Sequence, residues 1–116
     1  PLASVASVYA IKVMIDDNLA ECARTRGAQL MNHFDDIKAE FPDKIKENRG
    51  RGLLTAFEMH DSPHLDGHTV SVELLNRGVY AKETHHSTVR VAPALTIQAW
   101  QIDNIAEAIR DVVKSL

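Results

Sequence analysis

From Leu2 to Ile15 apolar residues crowd the chain so densely that no polar face is left. Leu2, Val5, Val8, Ile11 and Ile15 follow one helical arc, and Ala6, Ala10, Val13 and Met14 fill another; Lys12 is the only charge before Asp16. A helix apolar all round belongs inside something large. A chain of this length cannot easily wrap such a helix by itself. Leu2 to Ile15 therefore predicts a helix whose partner lies outside this chain, or a strongly apolar dimer interface. Ala3, Ser4, Ala6, Ser7 and Ala10 are small enough for close packing in either case. Asp16-Asp17-Asn18 interrupts the run, and Asp17 or Asn18 is placed to cap a second helix. There Leu19, Ala23, Gly27, Leu30, Phe34, Ile37 and Phe41 recur at spacings of three and four, a single helical seam that Pro42 ends.

The pattern then shortens. Arg49-Gly50-Arg51-Gly52 opens a strand predicted to run to about Met59. Thr69 to Arg77 predicts a helix with Val72 and Leu75 facing in and Gly78 at its C-terminal end. Val79 to Lys82 and Thr88 to Ala92 predict two short strands joined by a polar connection. Thr96 is expected to cap the last helix. In that helix Ile102, Ile105, Ala106, Ile109, Val112, Val113 and Leu116 form one amphipathic stripe, with Trp100 as a packing anchor in the first turn. Helices interleaved with a few short strands predict an α+β layer: a small, mostly antiparallel sheet with helices on one face, preceded by a long helical segment.

Composition narrows the class. The chain has 116 residues, enough for one domain at most, and a formal net charge of -3 with mixed signs. That balance argues against a nucleic-acid footprint, which needs a basic stripe. One cysteine, Cys22, permits no internal disulfide and suggests a reducing compartment; beside the second helix's seam, it is expected to be a partly buried, inert thiol. No secretory signal is expected at the start, and no apolar run is long enough to span a bilayer.

Three stretches carry candidate chemistry. His60, His64 and His68 are spaced by four, which on a continuous helix would gather imidazoles for a metal. Pro63 and Gly67 break that helix, so a solvated loop without metal is expected. The two glycines around Arg51 look like a phosphate cradle, but such a loop needs a helix after it. Leu53-Leu54-Thr55-Ala56-Phe57 reads as strand, so the glycines are expected to permit a bulge or a close backbone approach instead. Arg90 stands inside a β-branched run three residues before a proline. An arginine held on a strand is a natural fork for a carboxylate, and equally an edge residue that snorkels into water.

Ala81-Lys82-x-Thr84-His85 followed by Val89-Arg90-x-Ala92-Pro93-x-Leu95 resembles the C-terminal domain of the ornithine aminotransferases. These are class III, fold-type I enzymes that use pyridoxal 5'-phosphate (PLP). Pro1-Leu2-Ala3 is similar to the end of that family's Gly-Gly-Asn-Pro-Leu segment, and Arg49-Gly50-Arg51-Gly52-Leu53-Leu54 to its Arg-Gly-Lys-Gly-Leu-Leu stretch. Ala94 stands where the family usually has a second proline and Glu83 where it often has one; both touch loop stiffness more than chemistry.

The resemblance implies residues 1–17 as a buried helix belonging to inter-domain or large-domain packing, and 18–116 as the C-terminal small domain. It implies a homodimer; a cytoplasmic location is expected from the single cysteine and the lack of a secretory signal. It also implies transfer of the δ-amino group of ornithine to 2-oxoglutarate, giving glutamate semialdehyde and glutamate. Arg90 would bind the substrate carboxylate and pair with a large-domain glutamate, while Thr84 and His85 would shape the loop. The cofactor lysine and its acidic partner would precede Pro1, so no catalytic, cofactor or metal residue is expected in this chain, which alone would neither bind PLP covalently nor turn over. Two other readings stay open: another class III ω-aminotransferase, acting on acetylornithine or 4-aminobutyrate, and a non-enzymatic α+β interaction module.

Overall fold

The computed structural model describes residues 1–116. Its elements are α1 (Leu2–Asp16), α2 (Leu19–Glu40), β1 (Ile45–Arg51), β2 (Leu54–Met59), α3 (Gly67–Asn76), β3 (Lys82–Thr84), β4 (Thr88–Val91) and α4 (Ala99–Ser115). The four strands form one antiparallel sheet in the order β1-β2-β4-β3. This is the expected α+β layer, with one strand more than the sequence pattern disclosed. No helix is long and apolar enough to cross a membrane.

α2, α3 and α4 cover one face of the sheet. Leu30, Phe34 and Ile37 of α2 meet Val70 and Leu74 of α3 and Ile102, Ile109, Val112 and Val113 of α4 over Ile45, Phe57, Met59, Val89 and Val91 of the strands. Phe34 and Phe57 pack edge to face with centroids 5.5 Å apart, an arrangement that suits the ring quadrupoles. The α2 seam is buried at Leu19, Gly27, Leu30, Phe34 and Ile37, and the α4 stripe at Ile102, Ala106, Ile109, Val112 and Val113. Cys22 is free and half-buried. At Gly27, α2 passes the β1–β2 turn so closely that a Cβ would stand 2.1 Å from the Gly52 carbonyl oxygen. Gly52 itself has φ +56, which glycine adopts without strain.

Several local expectations are corrected. β1 was not anticipated, because Ile45 is its only buried side chain and Lys46 to Arg51 show no apolar alternation. The Arg49-to-Met59 strand is therefore a hairpin that turns at Gly52-Leu53, and the sheet's bulge lies at Lys46, between Ile45 and Glu47. The strand expected over Val79 to Lys82 begins only at Lys82. Val79 instead donates its N–H to the Leu74 carbonyl, closing the end of α3. Gly67, Val70 and Leu74 are the buried residues of α3, whereas Val72 and Leu75 face outward. Asp66, not Thr69, starts that helix, accepting from the Thr69 N–H at 2.9 Å.

Thr96 does not cap α4; Gln98 and Gln101 form a reciprocal capping box two residues later. Asn18 precedes α2 in a left-handed conformation without a side-chain cap bond. Trp100 is 62% exposed and anchors nothing within this chain. Every residue of α1 is exposed, including Leu2, Val8 and Ile15.

Polar clasps tie the helices together. Lys44 donates to the Val113 carbonyl at 2.8 Å and so satisfies the C-terminus of α4. Asp103 of α4 accepts from Gln29 and pairs with His33, both on α2, at 2.9 and 2.8 Å. Those bonds, His33's first and then Gln29's, hold the Asp103 carboxyl below its usual value. A depressed carboxyl contributes stability above its unfolded pKa, about 3.9, and loses it as pH falls through the folded value. Asp103→Asn should therefore flatten the acid limb of a stability–pH curve below about pH 4 while sparing the neutral region's shape; an unchanged acid limb would contradict the clasp.

Candidate functional site

The face of the sheet opposite the helices is open, and its register brings charged residues into rows. Arg49 pairs with Ala56, Ala56 with Arg90, and Arg90 with Lys82, so these four side chains cross the sheet on one face. The neighbouring row is Glu47, Glu58, Thr88 and Thr84. Alternation explains the sorting: Phe57, Val89 and Val91 point into the core, and Ala56, Glu58 and Arg90 point out.

One end of this face is internally neutralised. Glu58 pairs with Lys46 at 2.7 Å and with Arg49 at 2.8 Å. Lys46 first and Arg49 second lower the Glu58 carboxyl, and Glu58 in turn raises Lys46. Ala56 is small enough for Arg49 to lie across β2 and reach the Thr88 hydroxyl at 3.4 Å. The other end is not neutralised. Arg90 and Lys82 are both exposed, directly opposite each other, and neither takes part in an ion pair. Glu83, the nearest acid in sequence, is paired with His68 at 3.2 Å. Two like charges opposite each other disfavour a strand pair; an anion set between them would reverse the sign.

Beside this pair, Thr84 ends β3, and His85 and His86 make the β3–β4 turn with φ +51 and +64. The turn is fastened at its back: the Gly67 N–H donates to the His86 carbonyl at 2.7 Å and the Met59 N–H to the Ser87 carbonyl at 2.9 Å. Left-handed backbone costs an L-residue about 1–2 kcal/mol, so His86→Gly should raise stability by about 1 kcal/mol after glycine's entropic penalty. His86→Val should do the opposite. A thermal melt of the two variants checks this, and equal melting temperatures would show that the turn is unstrained.

The structure leaves the other sequence candidates apart. His60 and His64 lie in the loop after β2 and His68 in the first turn of α3, and no three His, Cys, Asp or Glu side chains stand together as a metal site. Arg49-Gly50-Arg51-Gly52 is a strand end and turn, not a helix N-terminus. Lys82 is the residue that sequence reasoning undervalued. Its signal was the alternation shared with Arg90, visible only once the register is known.

The family model for aminotransferase class III matches residues 1–113 of this chain. The chain belongs to the class III aminotransferases. The mitochondrial ornithine aminotransferase of Arabidopsis thaliana is 36% identical over 117 residues, covering 98% of this chain and 24% of the relative. Ornithine aminotransferase of Staphylococcus carnosus is 36% identical over 112 residues, covering 97% and 26%. Among solved structures, acetylornithine aminotransferase from Elizabethkingia anophelis superposes with TM-score 0.92 at 28% identity, over 100% of this chain and 29% of that one. Ornithine aminotransferase from Toxoplasma gondii gives TM-score 0.89 at 32% identity, over 99% and 27%; a further structure of that enzyme carries PLP at partial occupancy in its active site. This class III chain thus spans about a quarter of the length of the curated relatives it matches.

Its own residues do not fit PLP by themselves. The cofactor needs a lysine for its Schiff base, an acid at the ring nitrogen and a phosphate anchor. Lys12, Lys44 and Lys46 are engaged with Asp16, the α4 carbonyls and Glu58. Lys38 lies on the partly buried side of α2 and Lys114 is exposed near the end of α4. Lys82 borders a shallow groove with His68, Val72, Leu75 and Tyr80, where the one carboxylate, Glu83, is held by His68.

Proposed function

We propose that this chain is the C-terminal part of a PLP-dependent ornithine aminotransferase, and that its open sheet face forms one wall of the active site. The whole enzyme transfers the δ-amino group of ornithine to 2-oxoglutarate, giving glutamate semialdehyde and glutamate. The cofactor and its lysine belong to a large domain outside these residues. Arg90 receives the carboxylate of the substrate, presenting two parallel N–H donors to two oxygens. It also discriminates between the two reaction partners by pairing with a large-domain glutamate when the site does not need it. Thr84 and His85 shape the loop beside it.

The observation that carries this reading is Arg90 itself: an exposed, unpaired guanidinium at the centre of an uncovered face, in a class III chain. A charge placed there with no internal partner is available to a ligand or to another part of the protein.

Residues 1–17 make the packing between domains and across a homodimer, and 18–116 make the small domain. The exposed apolar side chains of α1 support that division, since each large one gains roughly 1.5–3 kcal/mol when fully buried. The free Cys22 fits a reducing compartment, the cytoplasm in our reading.

A second reading has its own support. The Elizabethkingia anophelis structure is an acetylornithine aminotransferase, so a class III enzyme acting on the free ω-amine of acetylornithine is the alternative. The full-length protein, assayed with 2-oxoglutarate against ornithine, acetylornithine and 4-aminobutyrate, separates the two. We expect ornithine to give the highest kcat/KM. A preference for acetylornithine, or no amino transfer from any donor, would overturn the assignment.

A further inference from the structure

We propose that Lys82 is a second anion-positioning residue beside Arg90, the two cations together receiving a carboxylate of a dicarboxylic 2-oxo acid. The proposal rests on the reading of Arg90 given above and extends it to the choice between the two substrates. β3 and β4 pair Lys82 with Arg90 directly, so their backbones lie about 4.8 Å apart and the two side chains leave the sheet on one face. Both are long enough for an ammonium and a guanidinium to converge on one carboxylate.

The other cations of this sheet face do not compete. Lys46 and Arg49 are committed to Glu58, and Arg51 stands beyond them at the far end of β1, opposite Leu54. Nor does any carboxylate of this chain reach the pair: Glu58 is shared by Lys46 and Arg49, and Glu83 is paired with His68. Glu83 alternates with Lys82 along β3, and its carboxylate is held by His68 in the groove that Lys82 borders.

Charge then decides which substrate the pair favours. Ornithine near neutral pH carries two ammonium groups and one carboxylate, a net cation. 2-Oxoglutarate carries two carboxylates and no cation. A doubly positive cleft attracts the second and repels the first, so Lys82 acts as an attractive element toward one substrate and a repulsive one toward the other. Arg90 supplies the planar fork that fixes the carboxylate, and Lys82 supplies a point charge that biases which molecule arrives.

Lysines on edge strands also serve simply to block edge-to-edge pairing, and that role leaves substrate constants untouched. The test is steady-state kinetics of the full-length enzyme with ornithine and 2-oxoglutarate, for Lys82→Gln, Lys82→Arg and Arg90→Gln, at low and high salt. We expect Lys82→Gln to raise KM for 2-oxoglutarate about two- to fivefold. KM for ornithine should be unchanged or lower, Lys82→Arg should restore the wild-type ratio, and the difference should shrink as salt rises. If Lys82→Gln shifts both KM values equally, or shifts neither, while Arg90→Gln impairs the enzyme, Lys82 is an edge-strand lysine and the inference falls alone. If Arg90→Gln is also without effect, the reading of the whole face falls with it.

Discussion

Gly27→Ala should destabilise the protein, although helix propensity alone predicts the reverse. Gly27 lies inside α2, where alanine is favoured over glycine by about 1 kcal/mol. The contact opposes that gain. A Cβ at Gly27 would stand 2.1 Å from the Gly52 carbonyl oxygen and 2.3 Å from its carbon. Both atoms are backbone in a tight turn, so no side chain can swing aside. The turn, or the helix, must shift by about 1 Å to reach ordinary contact distance. Overpacking of this kind costs about 1–3 kcal/mol and sometimes more, and here it moves the hairpin that carries Arg49 and Arg51. We expect a net loss of about 2 kcal/mol. Gly27→Val should be worse, because the added methyls meet the same backbone. Ala20→Gly, on the exposed side of α2, measures propensity without the contact. A melting temperature that rises for Gly27→Ala would show that α2 and the turn do not approach as described.

That contact also shows what a sequence discloses and what it hides. Gly27 falls in the α2 seam by spacing, and so do Leu30, Phe34 and Ile37, because the signal for a helix packed on a core is the periodicity itself. The α4 stripe was legible for the same reason. β1 was not: Lys46-Glu47-Asn48-Arg49 has its apolar cover on neither side, and its place in the sheet comes from pairing with β2. The fit of Gly27 to Gly52 depends on that missing hairpin, so no local pattern could announce it.

The site divided in the same way. Arg90 was legible as an arginine inside a β-branched run, and the family resemblance gave it a role. Its setting was not legible. The expected strand over Val79 to Lys82 placed Lys82 at a strand end, whereas the register places it directly across from Arg90. The engagement of Glu58 by Lys46 and Arg49 likewise needed the strand order β1-β2-β4. The Asp66 cap, the Gln98–Gln101 box and the left-handed His85-His86 turn are local, yet several nearby residues could have served each. Val72, Leu75, Tyr80 and every residue of α1 are exposed in this chain.

Arg90→Lys should impair the full-length enzyme even though the charge is kept. A guanidinium holds a carboxylate through two parallel N–H donors, and an ammonium offers a single compact point of charge. Losing one charge-assisted bond costs about 1.5–3 kcal/mol, so the affected half-reaction should slow about ten- to a hundredfold at subsaturating substrate. Stability should barely change, because Arg90 is exposed and pairs with nothing in this chain. Melting temperatures of the variant and wild type should therefore agree while the kinetics diverge.

The two half-reactions should not suffer equally. In the proposed gate, Arg90 engages the carboxylate of one partner and is held by a large-domain glutamate when the other is bound. A residue that only packs, or that lies in water, has no means of distinguishing them. Single-turnover measurement of each half-reaction of the full-length Arg90→Lys enzyme, ornithine with the PLP form and 2-oxoglutarate with the aminated form, tests this most directly. The proposed face predicts unequal losses, with the oxo-acid half-reaction the more impaired; wild-type rate constants in both would contradict it.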